Sequence, residues 1–169
     1  MPVATFFTNT TPMKRLVLAA IALTFVLSAT ADRAEAQLAI MPHVGYSLAA
    51  EGVVIGVEGR FGLPLGGPLS IAIQPGVQTT LGSDPYIQID GNLVGLFNIP
   101  LSPIQPYAGA GVALGIFDTP TETGSTMGFN ILGGASFGGG MIRPYVQGRQ
   151  TLGGALNGFT VQGGIIVGL

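Results

Sequence analysis

The stretch QPYAGAGVALGIF, Gln105 to Phe117, decides between two folds. Its core G-A-G-V-A-L-G carries Gly109, Gly111 and Gly115, and so has the look of a glycine-rich phosphate loop. Such a loop needs a strand before it, a helix after it and an acidic residue about 20 positions further on. The same residues also sort by parity. Ala108, Ala110, Val112, Leu114 and Ile116 fall on one face, and Gly109, Gly111, Ala113 and Gly115 fall on the other. That is a strand with an apolar side and a side of small residues. Beyond Phe117 the chain holds Glu122 in a polar loop and then MGFNILGGASFG, with no helical period. The glycines are strand glycines, and a nucleotide loop is excluded.

The alternation extends through the rest of the chain after Gln37. Eight runs of period two can be marked: Leu38–Ala49, Val53–Leu63, Leu69–Thr80, Tyr86–Ile99, Pro106–Phe117, Thr126–Phe137, Ile142–Leu152 and Phe159–Leu169. Each suffices for a tilted membrane strand of about 9–11 residues. In the seventh run Arg143, Tyr145, Gln147, Arg149 and Thr151 oppose Ile142, Val146 and Leu152. In the second, Glu58 and Arg60 oppose Val53, Ile55, Val57, Phe61 and Leu63; in the fourth, Gln88, Asp90 and Asn92 oppose Ile87, Ile89 and Leu93. Apolar outward and polar or small inward is the pattern of a membrane barrel. Hydrocarbon offers no hydrogen-bond partners, so strands span it only as a closed sheet. The predicted fold is an all-β, closed, antiparallel, eight-stranded up-and-down transmembrane barrel.

Composition points the same way. The chain has 169 residues, 28 glycines, 12 prolines, no cysteine and no tryptophan, and only 8% of it is charged. An average soluble domain carries roughly 25% charged residues, so the apolar content here must face something other than water. The absence of cysteine removes disulfides, a lipoprotein anchor and thiolate metal sites. After Gln37 there are three arginines against six acids, which gives no basic patch for nucleic acid. One histidine and scattered acids make no metal site, and no cofactor is expected.

The N-terminus reads as an export signal. Met13-Lys14-Arg15 is a basic start, Leu16 to Leu27 is apolar, and Ala34-Glu35-Ala36 fits an A-x-A cleavage site. Residues 1–36 are therefore assigned to an N-terminal extension and signal peptide, and residues 37–169 to the barrel. Translation from Met1 or Met13, and cleavage after Ala31 or Ala36, both stay open. Cleavage after Ala36 leaves about 133 residues, the size of one domain.

The second, fourth and sixth connections, PLGGP, PLSPIQ and GGGMIR, read as tight periplasmic turns. On the opposite side the connection around Asp118–Ser125 is the longest and most polar. Phe61, Phe97 and Phe137 end three successive downward strands on the apolar face, as an interfacial girdle would. Pro75 falls inside the third run, where a bulge or a shortened strand is expected. Tyr86, Tyr107 and Tyr145 have inner-face parity. Inside the barrel, Glu58, Arg60, Asp90, Arg143 and Arg149 are expected to form one lattice with Gln74, Gln78, Gln88, Asn92, Gln147 and Gln162, since enclosed charges persist only when paired. Glu51, Asp84, Asp118 and Glu122 are expected on a solvated outer rim.

QPYAGAGVALG and RPYVQGRQTLG, which open two upward strands at Gln105 and Arg143, resemble the small outer-membrane barrels of Gram-negative bacteria. The similarity is to the OmpA-like and OmpX-like barrels and the opacity-type surface antigens, and it covers the mature chain. It implies residence in the bacterial outer membrane, contact with lipid and lipopolysaccharide, and insertion by the barrel assembly machinery. The last strand resembles the assembly signal of that class, although it ends in Leu169 where the class normally ends in Phe. No peptidoglycan-binding domain is expected after it. Some barrels of this kind modify lipid A with a His–Ser–acid arrangement; His43, Ser47 and Glu58 or Asp90 would be the candidates here, but His43 points inward by parity. The expected function is structural or surface-interacting and non-enzymatic. It would be carried by a monomeric barrel plugged by its polar network, with residues 118–126 as the place for any surface ligand. A narrow porin is the alternative, and a lipid A-modifying enzyme ranks behind both.

Overall fold

A computed structural model describes residues 37–64, 68–82, 85–118 and 123–169. The proposed signal segment with Ala34 and Ala36 lies outside the described residues, as do Asp84 and Glu122. Eight strands follow one another: β1 (Gln37–Ser47), β2 (Gly52–Pro64), β3 (Leu69–Leu81), β4 (Tyr86–Phe97), β5 (Ile104–Asp118), β6 (Thr123–Phe137), β7 (Ile142–Leu152) and β8 (Gly158–Gly168). Every strand pairs antiparallel with its sequence neighbour, and β1 pairs with β8, so the sheet closes into an up-and-down barrel.

The register fixes the barrel's shape. One circuit of pairings runs Gln37, Gly62, Ala72, Val94, Gly109, Leu132, Arg149, Thr160 and back to β1 at Ser47. The circuit therefore returns ten positions further along β1 than it began. For eight strands that stagger means a tilt of about 40°. Residues at the same sequence distance from a strand end consequently lie at different depths in the barrel.

Side chains alternate as period two requires. Ile40, Val44, Ile55, Leu93, Val112, Ile131, Val146 and Ile165 are exposed on the outside. Among the described side chains, no Asp, Glu, Lys, Arg or His lies on the outward face of a strand. Phe61, Phe97 and Phe137 all point outward near the end where β1 begins and β8 finishes. A second set of outward aromatics, Tyr46, Phe129 and Phe159, lies near the opposite end. Tyr46 is eight residues of tilted strand above Leu38, the partner of Phe61, a separation of about 20 Å along the axis.

Three expectations need correction. Pro75 causes neither a bulge nor a short strand. β3 runs 13 residues through it, and the β2–β3 pairing passes from Phe61–Ile73 to Glu58–Gly76 in the same register. Only the two intervening positions go unpaired, because proline offers no N–H to β2, while Pro75 still aligns with Gly91 of β4. The connection around Asp118–Ser125 is not a long loop. Thr123–Thr126 belong to β6, and 15-residue β5 and β6 carry their ladder to within four residues of each other, ending in the pair Asp118–Thr123. Nor is the barrel's centre uniformly polar. Met41, Val94, Leu96, Leu132 and Ile166 share the inner face with Tyr107 and Tyr145 in one apolar cluster.

Candidate functional site

The interior is packed with side chains around its middle and is stratified along the axis. Its ionic centre is Arg149 of β7, 1% exposed. The Nη2 of Arg149 donates to Glu58 Oε1 of β2, and Nη1 donates to Asp90 Oδ2 of β4 at 2.6 Å and to Gln78 Oε1 of β3 at 3.1 Å. One guanidinium thus ties together four strands. A planar fork with several donors is the side chain best suited to that task.

Amides extend the network. Gln74 Nε2 donates to Glu58 Oε2 at 2.6 Å, and Gln162 Nε2 of β8 reaches Glu58 Oε1 at 3.3 Å. Gln88 Nε2 and Asn130 Nδ2 each donate to Asp90 Oδ1 at 2.7 Å. Thr151 Oγ1 donates to Asn130 Oδ1 at 2.8 Å. Enclosing carboxylates without partners would be costly, and here both are saturated with donors. Asn130 and Thr151 lie outside the network expected from the sequence, although their parity already turns them inward.

The five charged side chains do not form one lattice. Glu58, Asp90 and Arg149 meet directly. Arg60 joins them through Gln74, donating from Nε at 3.0 Å and Nη2 at 2.8 Å to Gln74 Oε1, and its guanidinium lies 4.4 Å from the centre of the Tyr107 ring. Arg143 stands apart at the end where β1 begins and β8 finishes, where its Nη1 donates to Gln105 Oε1 at 3.3 Å. Between it and the ionic centre lies the apolar layer.

Glycines on the inner face make room for these arms. Asn130 Nδ2 of β6 donates to Asn92 Oδ1 of β4 at 3.1 Å, passing over Gly111 of the intervening β5. A Cβ on Gly111 would lie 2.5 Å from that Asn92 oxygen and would also strike the carbonyl of Gly91. Tyr107 rests against Gly134, where a Cβ would come within 2.6 Å of its hydroxyl. At the other end the short 3-10 turn Gly154–Leu156 tucks Leu156 inward over Gly115, with its Cδ2 2.5 Å from where a Cβ of Gly115 would be. The glycine-rich face of β5 is a recess, and its neighbours fill it.

The arrangement does not bring His43 and Ser47 together. His43 and Ser47 are both buried on the inner face of β1, but four residues of extended strand hold their backbones about 13 Å apart. His43 Nδ1 lies 3.4 Å from the carbonyl of Met41, and Ser47 Oγ accepts from the backbone N–H of Ala50 at 3.3 Å, closing the turn into β2. No group of three His, Cys, Asp or Glu gathers to hold a metal among the described residues. Glu51 sits in the β1–β2 turn with a φ of 45°.

No family model and no curated protein matches the chain. Solved structures do. The N-terminal β-barrel domain of Pseudomonas aeruginosa OprF is similar over 81% of this chain and 100% of that one, with a TM-score of 0.57 and 15% identity. A structure from the de novo design of transmembrane β-barrels is similar over 82% of this chain and 99% of that one, with a TM-score of 0.52 and 14% identity. The chain has the fold of the small eight-stranded outer-membrane barrels. At such low identity the likeness is one of fold alone.

Proposed function

We propose that this protein resides in the bacterial outer membrane as a closed, monomeric barrel with a structural or surface-interacting role and no catalytic one. The observation that carries the reading is the division of the two faces: every outward strand side chain that the structure describes is uncharged, and the inward positions are packed around Arg149, Glu58 and Asp90. The two outward aromatic sets, Phe61, Phe97 and Phe137 below and Tyr46, Phe129 and Phe159 above, support the membrane placement. Their separation suits an apolar band about 25 Å tall with a girdle at each edge. With the termini in the periplasm, the extended β5–β6 hairpin is the part of the molecule that reaches furthest into the medium. It is the place for any surface ligand, around residues 118–126. Outer-membrane lipid, lipopolysaccharide and the assembly machinery are the partners this placement requires.

A packed centre argues against the narrow porin, and the separation of His43 from Ser47 argues against lipid A chemistry. The test joins gel mobility and conductance on the same refolded mature protein. Unheated protein should migrate faster than boiled protein, and in a planar bilayer it should give no unitary current over a wide voltage range. Steady single-channel steps from a heat-modifiable preparation would overturn the plug, and absence of any heat-modifiable form would overturn the membrane barrel.

A further inference from the structure

The end of the barrel where β1 begins and β8 finishes contains a cavity of about 90 Å³, lined by Arg60, Ser70, Leu96, Asn98, Gln105 and Arg143 among others. Two of these are guanidinium groups, and neither touches a carboxylate among the described residues. Among the described residues Arg60 donates to the neutral amide oxygen of Gln74, and Arg143 to that of Gln105. Arg60 Nη1 and Arg143 Nε are buried donors with no partner, and Arg60 is 4% exposed.

The interior charges do not balance. Among the described residues the interior holds three arginines and two acids. Glu58 and Asp90 both touch Arg149, and Arg60 reaches Glu58 only through Gln74, so the one positive charge in excess is that of Arg143 at this mouth. Buried donors in native proteins are nearly always satisfied, and an enclosed charge asks for a counter-charge. The remaining groups at the mouth are neutral and polar: Asn98 Nδ2 donates to Ser70 Oγ at 3.1 Å, and Ser136 Oγ lies 3.4 Å from Gln105 Oε1. Nothing anionic competes for the two guanidinium groups there among the described residues.

We propose that Arg60 and Arg143 together bind one small oxyanion, a phosphate or carboxylate group, in the mouth of the barrel. Paired guanidinium groups match the oxygens of such anions. The space accepts one such group. With the termini in the periplasm, the mouth opens to the periplasm. The site itself rests on the barrel's interior and not on which membrane the barrel occupies.

The test uses the refolded mature protein in an amine-oxide detergent free of phosphate, with chloride holding ionic strength constant. The side-chain Nε–H signals of Arg60 and Arg143 are followed by NMR during separate titrations with inorganic phosphate, acetate and a short-chain phosphatidylglycerol. The two signals should move together and saturate, and Arg143→Gln should weaken binding by about tenfold or more. Saturation by phosphate or acetate identifies a free solute; saturation by the phospholipid alone identifies a headgroup. Arg143 makes one side-chain bond, so its replacement leaves the fold intact, and Arg60→Lys provides a second variant that keeps the charge and loses the fork. Linear, non-saturating shifts, or unchanged affinity in Arg143→Gln, would overturn the site. Heat-modifiability of the same samples separates that outcome from failure of the barrel itself.

Discussion

β5 and β7 begin alike, QPY against RPY, and then do opposite things. On its inner face β7 carries Tyr145, Gln147, Arg149 and Thr151, all buried and all large or polar. On the same face β5 continues from Tyr107 into Gly109, Gly111, Ala113 and Gly115. Strands of such different character belong to one barrel because the interior has a fixed volume. Where one wall contributes long arms, another must give way. The glycine-rich strand is thus the steric counterpart of the arginine-bearing one, and the Asn92–Asn130 bridge over Gly111 is where the two requirements meet.

The comparison can be broken from either side, and the largest effect is expected on β7. Arg149→Leu keeps much of the bulk and removes the cation that touches both Glu58 and Asp90. It should cost about 3–5 kcal/mol, the usual penalty for stranding a buried charge partner, measured by denaturant unfolding in lipid vesicles. Loss of less than about 1 kcal/mol would mean that water, not Arg149, satisfies the two carboxylates.

A smaller effect is expected on β5. Gly111→Ala should cost about 1–3 kcal/mol by overpacking, because the methyl would meet the backbone of Gly91 and Asn92 as well as the Asn92 side chain. The smallest belongs to the outward glycine beside it. Gly91→Ala places its methyl no closer than 4.0 Å to any neighbour, the nearest being Val112 Cγ2, and should change stability by no more than about 0.5 kcal/mol. Equal costs at the two glycines would mean that the loss comes from backbone propensity and not from the crowded interior.

Much of the barrel is legible in the sequence because a strand's period fixes its faces. Parity alone turns Glu58, Arg60, Asp90 and Arg149 inward and Phe61, Phe97 and Phe137 outward, and it separates Tyr107 and Tyr145 from the outer surface. Parity says nothing about depth. Whether Arg143 reaches Glu58 depends on the stagger accumulated over eight pairings, which no single strand displays. That is why Arg143 sits at the mouth, away from the lattice, and why Met41, Val94, Leu96, Leu132 and Ile166 gather in one layer although they come from four strands. The same limit hides the second aromatic set, since Tyr46, Phe129 and Phe159 stand at one level only once the tilt is known. The β5–β6 hairpin looks like a loop in the sequence for another reason. Its outermost pairs, such as Phe117–Gly124 and Asp118–Thr123, are held by backbone ladder bonds without an alternating apolar face to announce them.

The central claim is that neighbouring residues of each strand face different solvents, acyl chains on one side and a sealed interior on the other. It is tested most directly by methyl NMR of the refolded protein in micelles carrying a lipid-soluble paramagnetic fatty acid. The methyl signals of Val112, Ile131, Val146 and Ile165 should broaden away, while those of Val94, Leu132 and Ile166 stay sharp. Equal broadening of both sets, or broadening of the second alone, would contradict the assignment of faces.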